Sequence, residues 1–303
     1  MFKMRMMSSA GALLVAALAV LLVDADPAAA KITVVASITD LGSIASSVGG
    51  DQVEVQAISR PNTDVHRVEV LPSYMVRVSR AQLYLKVGLS LDQWADAIID
   101  GSQNDKLVVV DCSEGVDVLD KPAGGVNASM GDVHPNGNPH YWLDPRNGGI
   151  AARNIAGALG KVDPAHAADY AARAEAFAAQ ADDEYKKGQR TVAGLDGRNI
   201  ITYHASWVYF AHAFDLAIVG TVEPVPGIPP TGKHLSELID LIKAQKAGIL
   251  IQEPYFSDDA GDFLTREAQI RVIKASPSCD SAESGSYLAH FDALFAALAA
   301  RRS

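Results

Sequence analysis

Four residues spread along the chain have the types and settings of a single metal site: His66, His140, His204 and Asp280. They stand in Asp64-Val65-His66, in Pro139-His140-Tyr141-Trp142-Leu143-Asp144-Pro145, in Tyr203-His204-Ala205-Ser206 and in Cys279-Asp280-Ser281. Three imidazoles and one carboxylate satisfy a tetrahedral Zn²⁺ ion. Each residue has a plainer reading when taken alone: an exposed loop histidine, a member of an aromatic cluster, a strand-end residue, a turn aspartate. What they share is position, because each follows a candidate strand or opens a helix. Asp64 is placed to orient the His66 ring, and Glu253, after another strand, is expected close to the site as a hydrogen-bonding partner. His134 lies just before His140 and is either an auxiliary metal-capturing group or a solvated side chain. His166, His212, His234 and His290 fall in helical patterns and read as structural or solvated.

Positioning such a set requires strands that end at one place. Candidate strands are Ile32–Ala36, Val53–Ile58, Leu83–Val87 and Leu107–Asp111, then Asn199–Thr202, Ala217–Val222, Gly248–Gln252 and Ile270–Lys274. Amphipathic helical patterns such as Leu41–Val48, Leu91–Ile99 and Leu235–Ala244 separate most of them. This is the βαβ rhythm of α/β folds with mostly parallel sheets. Between the two sets, Pro164 to about Leu195 is rich in Ala, Glu, Gln, Asp and Lys and has no internal proline. Asp163-Pro164 signals its start, and Gly188 and Gly194 are candidate points of fraying. One long helix there would act as a rigid spine. The expected organisation is a leader at 1–30, a first lobe at 31–160, the linking helix at 161–195 and a second lobe at 196–303. The four candidate ligands then divide evenly between the lobes. Residues 121–139, rich in Gly, Pro, Asn and Asp, read as a mobile surface loop.

Lys3 and Arg5, the apolar stretch Ala10–Val23 and Ala28-Ala29-Ala30 read as a cleaved secretory signal peptide, with a membrane anchor as the alternative. Residues 1–30 hold two basic and two acidic side chains, so the net charge of −10 is unchanged by cleavage. An acidic body argues against nucleic acid or an anionic membrane as partner. Cys112 and Cys279 are the only cysteines. In an oxidising compartment a disulfide between them is the default expectation, and two buried free thiols are the alternative. Outside the leader only Met75 and Met130 remain, which disfavours a Cu(I) carrier.

Nearly all of the chain beyond residue 30 resembles the metal-binding solute-binding proteins of bacterial zinc/manganese ABC importers, which have the TroA-like fold. Asp64-Val65-His66, His140-Tyr141-Trp142-Leu143-Asp144-Pro145, the Ala-rich helix, Gln252-Glu253-Pro254-Tyr255-Phe256-Ser257 and Ser286-Tyr287-Leu288 carry the resemblance. It implies two lobes, each a mostly parallel four-stranded sheet flanked by helices, with one rigid helix between them and the metal in the cleft. It puts His66, His140, His204 and Asp280 on the ligand positions. Manganese-type members tend to carry Glu at the third, so His204 favours zinc, as in the ZnuA and AztC types. Many zinc members carry a His-rich loop before the second ligand; here that loop holds only His134, nearer the AztC type. The implied role is binding, not catalysis: a periplasmic monomer that delivers Zn²⁺ to an inner-membrane ABC permease, with a periplasmic metallochaperone as a further partner. Rival readings are a Mn²⁺ or Fe²⁺ binder of the same class, a metal-dependent adhesin and a secreted zinc hydrolase. The hydrolase would need an open coordination position, and the chain has no His-Glu-x-x-His helix motif.

Overall fold

The computed structural model describes Met1 and residues 30–127, 130–195 and 197–300, so the expected signal peptide lies almost wholly outside the described residues. The eight expected strands form within about a residue of their expected ends. In the first sheet, β1 (Ile32–Ala36), β2 (Val53–Ala57), β3 (Leu83–Lys86) and β4 (Val108–Asp111) run parallel in the order β2-β1-β3-β4. In the second, β5 (Asn199–Thr202), β6 (Ala217–Thr221), β7 (Ile249–Gln252) and β8 (Arg271–Lys274) repeat that arrangement as β6-β5-β7-β8. Strands such as Leu83-Tyr84-Leu85 and Ile249-Leu250-Ile251 are buried at every position, as sheets covered on both faces require.

The topology itself selects where a ligand can sit. In each sheet the chain leaves the first strand in one direction and later returns to pair on its other side. The crevice between β1 and β3, and that between β5 and β7, are therefore switch points, open beyond the carboxyl ends of the strands. His204 follows β5 and Glu253 follows β7, so the two flank the second crevice.

Helices α1 (Thr39–Gly49), α2 (Pro72–Val78) and α3 (Trp94–Ser102) cover the first sheet, and α6 (Val208–Ala213), α7 (Gly232–Gln245) and α8 (Asp258–Ala268) cover the second. Asp144 caps α4 (Pro145–Val162) by accepting from the Arg146 amide, with Pro145 in the first turn as expected. The long helix α5 (Ala167–Ala193) has 27 residues, about 40 Å at 1.5 Å per residue. It passes through Gly188 without ending. A Cβ there would meet Phe214 Cε1 at 2.3 Å and Phe295 Cζ at 2.4 Å, so this glycine serves close packing. The main apolar core runs from β1 and β3 through α4 and α5 to Phe210, Phe291 and Phe295, and reaches Ile200 and Ile251 of the second sheet.

The last helix, α9 (Ser286–Ala299), does not stay with the second sheet: it packs on α5 and α1. The segment before it is pinned to α1. Thr39 Oγ1 donates to the Cys279 carbonyl at 2.6 Å, Ser43 Oγ to that of Glu283 at 2.6 Å, and Ser46 Oγ to that of Ala282 at 2.7 Å. The Cys279 amide donates to Asp40 Oδ1 at 3.1 Å. This anchoring corrects the disulfide expectation, because Cys112 and Cys279 are both free and buried. Cys112 prolongs β4, whereas Cys279 rests on residues that follow β1, and β3 lies between. Two strand spacings are about 10 Å, beyond the roughly 7 Å that a disulfide spans between Cα atoms.

Candidate metal site

Three of the four predicted ligands come together. Among the described residues, donor atoms of His66, His140 and His204 all lie within 4.8 Å of one another. The ring centroids are 5.2 Å apart for His66 and His140, 5.2 Å for His66 and His204, and 5.8 Å for His140 and His204. Imidazoles packed this closely repel one another when charged, so the arrangement suits a shared cation that binds them neutral.

Each ring has one nitrogen committed to an oxygen. His66 Nδ1 donates to Asp64 Oδ1 at 2.9 Å, and the His66 backbone N–H donates to the same oxygen at 2.9 Å. His140 repeats this turn: its Nδ1 and its backbone N–H both donate to Asn138 Oδ1 at 3.0 Å. The Asn138 amide is oriented by its own Nδ2, which donates to the Ala205 carbonyl at 2.8 Å and so ties His140 to the turn that carries His204. His204 Nδ1 donates to Glu223 Oε2 at 2.6 Å. With Nδ1 protonated in each ring, Nε2 presents its lone pair. The Nε2 atoms of His66 and His140 are buried with no protein partner. This is the outer-partner arrangement that fixes tautomer and ring direction in histidine metal sites.

The frame behind the rings is rigid. Val65 is buried and its carbonyl accepts from Trp94 Nε1 at 3.0 Å, which fixes the backbone at His66. His140 packs on Trp142 with ring centroids 5.2 Å apart, and Trp142 Nε1 donates to the Pro277 carbonyl at 2.7 Å. Glu253, fully buried, accepts from Ser206 Oγ at 2.9 Å and from Trp207 Nε1 at 3.0 Å through Oε1. It therefore braces the turn after His204, and its Oε2 has no protein partner.

Electrostatics divide the rings. Burial, then the neighbouring imidazoles, hold His140 well below the usual histidine range. Burial also works against a charged His204. Its hydrogen bond to Glu223 and the charges of Glu253 and Glu223 outweigh that, and its pKa is raised. Burial pushes Glu253 itself up to about 7. A cation entering the site must therefore displace a proton held more firmly at His204 than at His140. A cavity of about 170 Å³ reaches His204 past Asp64, Asp132, Glu223 and Tyr255, which gives a cation an acidic approach.

Asp280 is not brought to the rings. It is exposed, one residue beyond the Cys279 anchor on α1, and its charge acts on His290 of α9. Chain geometry explains the difference: the segment after β8 is held to the first lobe by Thr39, Asp40 and Ser43, away from the crevice between β5 and β7. His166 donates to Asp163 and His234 to the Thr221 carbonyl, both away from the site. Sequence reasoning missed Asn138 and Glu223. Asn138 had a readable signal, because Asn138-Pro139-His140 repeats the spacing of Asp64-Val65-His66. Glu223 had none, since it reaches His204 from beyond a different strand, 19 residues away.

Comparison with known proteins places this geometry in a wider group. Residues 34–301 match the family described as zinc-uptake complex component A, periplasmic (ZnuA). The chain is 26% identical over 246 residues to the iron-binding protein YfeA of Yersinia pestis, covering 79% of this chain and 75% of that protein. A crystal structure of ZnuA superposes with a TM-score of 0.78 at 25% identity, over 89% of this chain and 98% of that one. The Pseudomonas aeruginosa solute-binding protein FpvC, solved with Mn²⁺, shares the fold with a TM-score of 0.76 at 23% identity, over 89% and 97% of the two chains.

Proposed function

This chain belongs to the family of periplasmic A components of zinc-uptake complexes, solute-binding proteins of ABC importers rather than enzymes, and from that premise we propose that its cargo is Zn²⁺, held by His66, His140 and His204. The observation that carries the metal assignment is the donor set: three imidazoles within 4.8 Å of one another, each with Nδ1 committed to an oxygen acceptor. Nitrogen donors at this spacing suit Zn²⁺, whereas Mn²⁺ prefers more oxygen ligands. Iron and manganese remain the second reading because YfeA is named for iron and FpvC was solved with Mn²⁺.

In this reading the protein works as a monomer in the periplasm. It takes the ion directly or from a metallochaperone through the acidic approach, and gives it up at the membrane permease. Asp64, Asn138 and Glu223 keep the rings aimed, so capture exchanges water for nitrogen with little rearrangement. Release requires one ring to move.

The test is metal binding by the purified full-length mature protein. One equivalent of Zn²⁺ should bind and exclude an equal concentration of Mn²⁺. His66→Ala and His204→Ala should each remove tight binding, while Asp280→Ala should retain it. Stoichiometric retention of Mn²⁺ against Zn²⁺ would refute the zinc assignment.

A further inference from the structure

A fourth imidazole stands at this site. His134 stacks on His66 with ring centroids 5.3 Å apart and an interplanar angle of 29°. We propose that His134 is the fourth ligand of the bound ion, so that the loaded site is a four-histidine centre whose last donor arrives on the 131–137 strap. This rests on the three-histidine reading above.

The His134 ring is held as the ligand rings are. The Nε2 of His134 is buried and has no protein partner, as in His66 and His140. Its other nitrogen is engaged by the Ser90 backbone. One nitrogen held by an oxygen acceptor and the other bare is the pattern that prepares His66 and His140. His290 also has a bare Nε2, yet no second histidine lies beside it; His134 differs by facing the cluster.

Asp132-Val133-His134 repeats Asp64-Val65-His66 residue for residue, and Asn138-Pro139-His140 has the same spacing. In the strap, however, the aspartate has a different task. The Asp132 carboxylate lies 4.0 Å from Arg67, next in the chain to His66, and its backbone N–H donates to the Pro226 carbonyl at 2.9 Å. Asp132 thus ties the strap to both lobes, while Ser90 takes over the ring.

The strap is bounded by two glycines with left-handed backbone, Gly131 at φ +64° and Gly137 at φ +106°. A Cβ on Gly131 would lie 2.0 Å from the Pro226 carbonyl oxygen, and one on Gly137 would lie 2.4 Å from Val118 Cγ1. Both positions need glycine for conformation and for close approach, so the ends of the strap are held at Pro226 and at Val118, with His134 between them against His66. Among the described residues the 4.8 Å group contains three histidines, and His134 sits outside it against the His66 face. Ligation would exchange the stack on His66 for a bond from the bare Nε2 of His134 to the ion. Tetrahedral zinc takes four ligands, and Asp280 is held elsewhere.

The experiment uses zinc and cobalt on the full mature protein, comparing wild type with His134→Ala, His66→Ala and Asp280→Ala. Zinc affinity is read by competition with a chromogenic chelator, and the donor set by X-ray absorption at the zinc edge. The expected result for His134→Ala is at least about a tenfold loss of affinity, the lower end of what losing even an outer partner costs. The fitted histidine count should fall from four to three, and the visible Co²⁺ bands should weaken as water enters. Wild-type affinity and an unchanged histidine count in His134→Ala would overturn the proposal while His66→Ala still abolished binding. If His66→Ala instead bound normally, the three-histidine reading itself would fail. Circular dichroism of His134→Ala should match wild type, so a lost fold cannot imitate a lost ligand.

Discussion

The carboxylate of Glu223 makes a sharp test of how the site is tuned, because it touches His204 and no other ring. Both side chains are buried, and Oε2 stands 2.6 Å from His204 Nδ1 while also accepting from the Gly227 amide at 2.9 Å. Glu223→Gln keeps the shape and removes the charge. A hydrogen bond to a charged group contributes about 1.5–3 kcal/mol and a neutral one about 0.5–1.5 kcal/mol, so the exchange weakens the hold on the ring by about 1–2 kcal/mol. At about 1.4 kcal/mol per tenfold, zinc affinity at pH 8 should fall by about 5- to 30-fold. The same carboxylate also raises the pKa of His204, so in the wild type a proton competes with the metal from a higher pH than at an ordinary histidine. The variant loses part of that competition. Its deficit should therefore be largest at pH 8 and shrink toward pH 6, as the wild-type affinity falls first. Chelator competition across that range reads both numbers. A ratio that stays constant with pH would refute the reasoning about proton competition. A loss above about 1000-fold, far beyond the usual cost of an outer partner, would mean the carboxylate binds the ion itself.

Two further outcomes concern stability. Asp40 is fully buried, and burial pushes its carboxyl up to about 7 from an ordinary 3.8. The folded state therefore holds a proton that the unfolded chain has lost, and stability declines as pH rises through this window, by about 4 kcal/mol at most. Asp40→Asn should flatten the Tm of the metal-free protein between pH 5 and pH 8, and parallel curves for the two proteins would exclude Asp40 as the cause. Gly188→Ala should lower Tm despite the better helix propensity of alanine, because its Cβ would press on Phe214 and Phe295, at about 1–3 kcal/mol; an unchanged or higher Tm would show that the aromatic cluster gives way.

The strands and three ligands were readable because their signals are local. Runs such as Val53-Glu54-Val55 and Ile249-Leu250-Ile251 carry β propensity in a few residues, and His66 and His204 follow them directly or through a polar turn. The TroA-like resemblance supplied the two-lobe arrangement. Asp280 met the same local criterion, since it follows β8, yet its surroundings are set by Thr39 and Asp40, about 240 positions away. The expected disulfide failed for the same reason, because parity of cysteines says nothing of which side of β3 each one occupies. His134 was named but left between two readings, since stacking on His66 depends on how the strap crosses both lobes. Glu223 was invisible, because a glutamate after an edge strand looks like any solvated one.

The return of the chain to α1 has a consequence for how the molecule is made. The first lobe is completed by its most distant residues: the hydroxyls of Thr39, Ser43 and Ser46 await carbonyls at Cys279, Glu283 and Ala282, and the Tyr287 hydroxyl closes on the Trp142 carbonyl. In topological terms the second sheet is an insert within the first lobe, with α5 leading out and α9 leading back. A chain emerging from its N-terminus can form the first sheet early. It cannot cover the outer side of α1 until nearly the whole polypeptide is available, and contacts of such sequence separation form late. The lobe that begins the chain is thus the last to be finished.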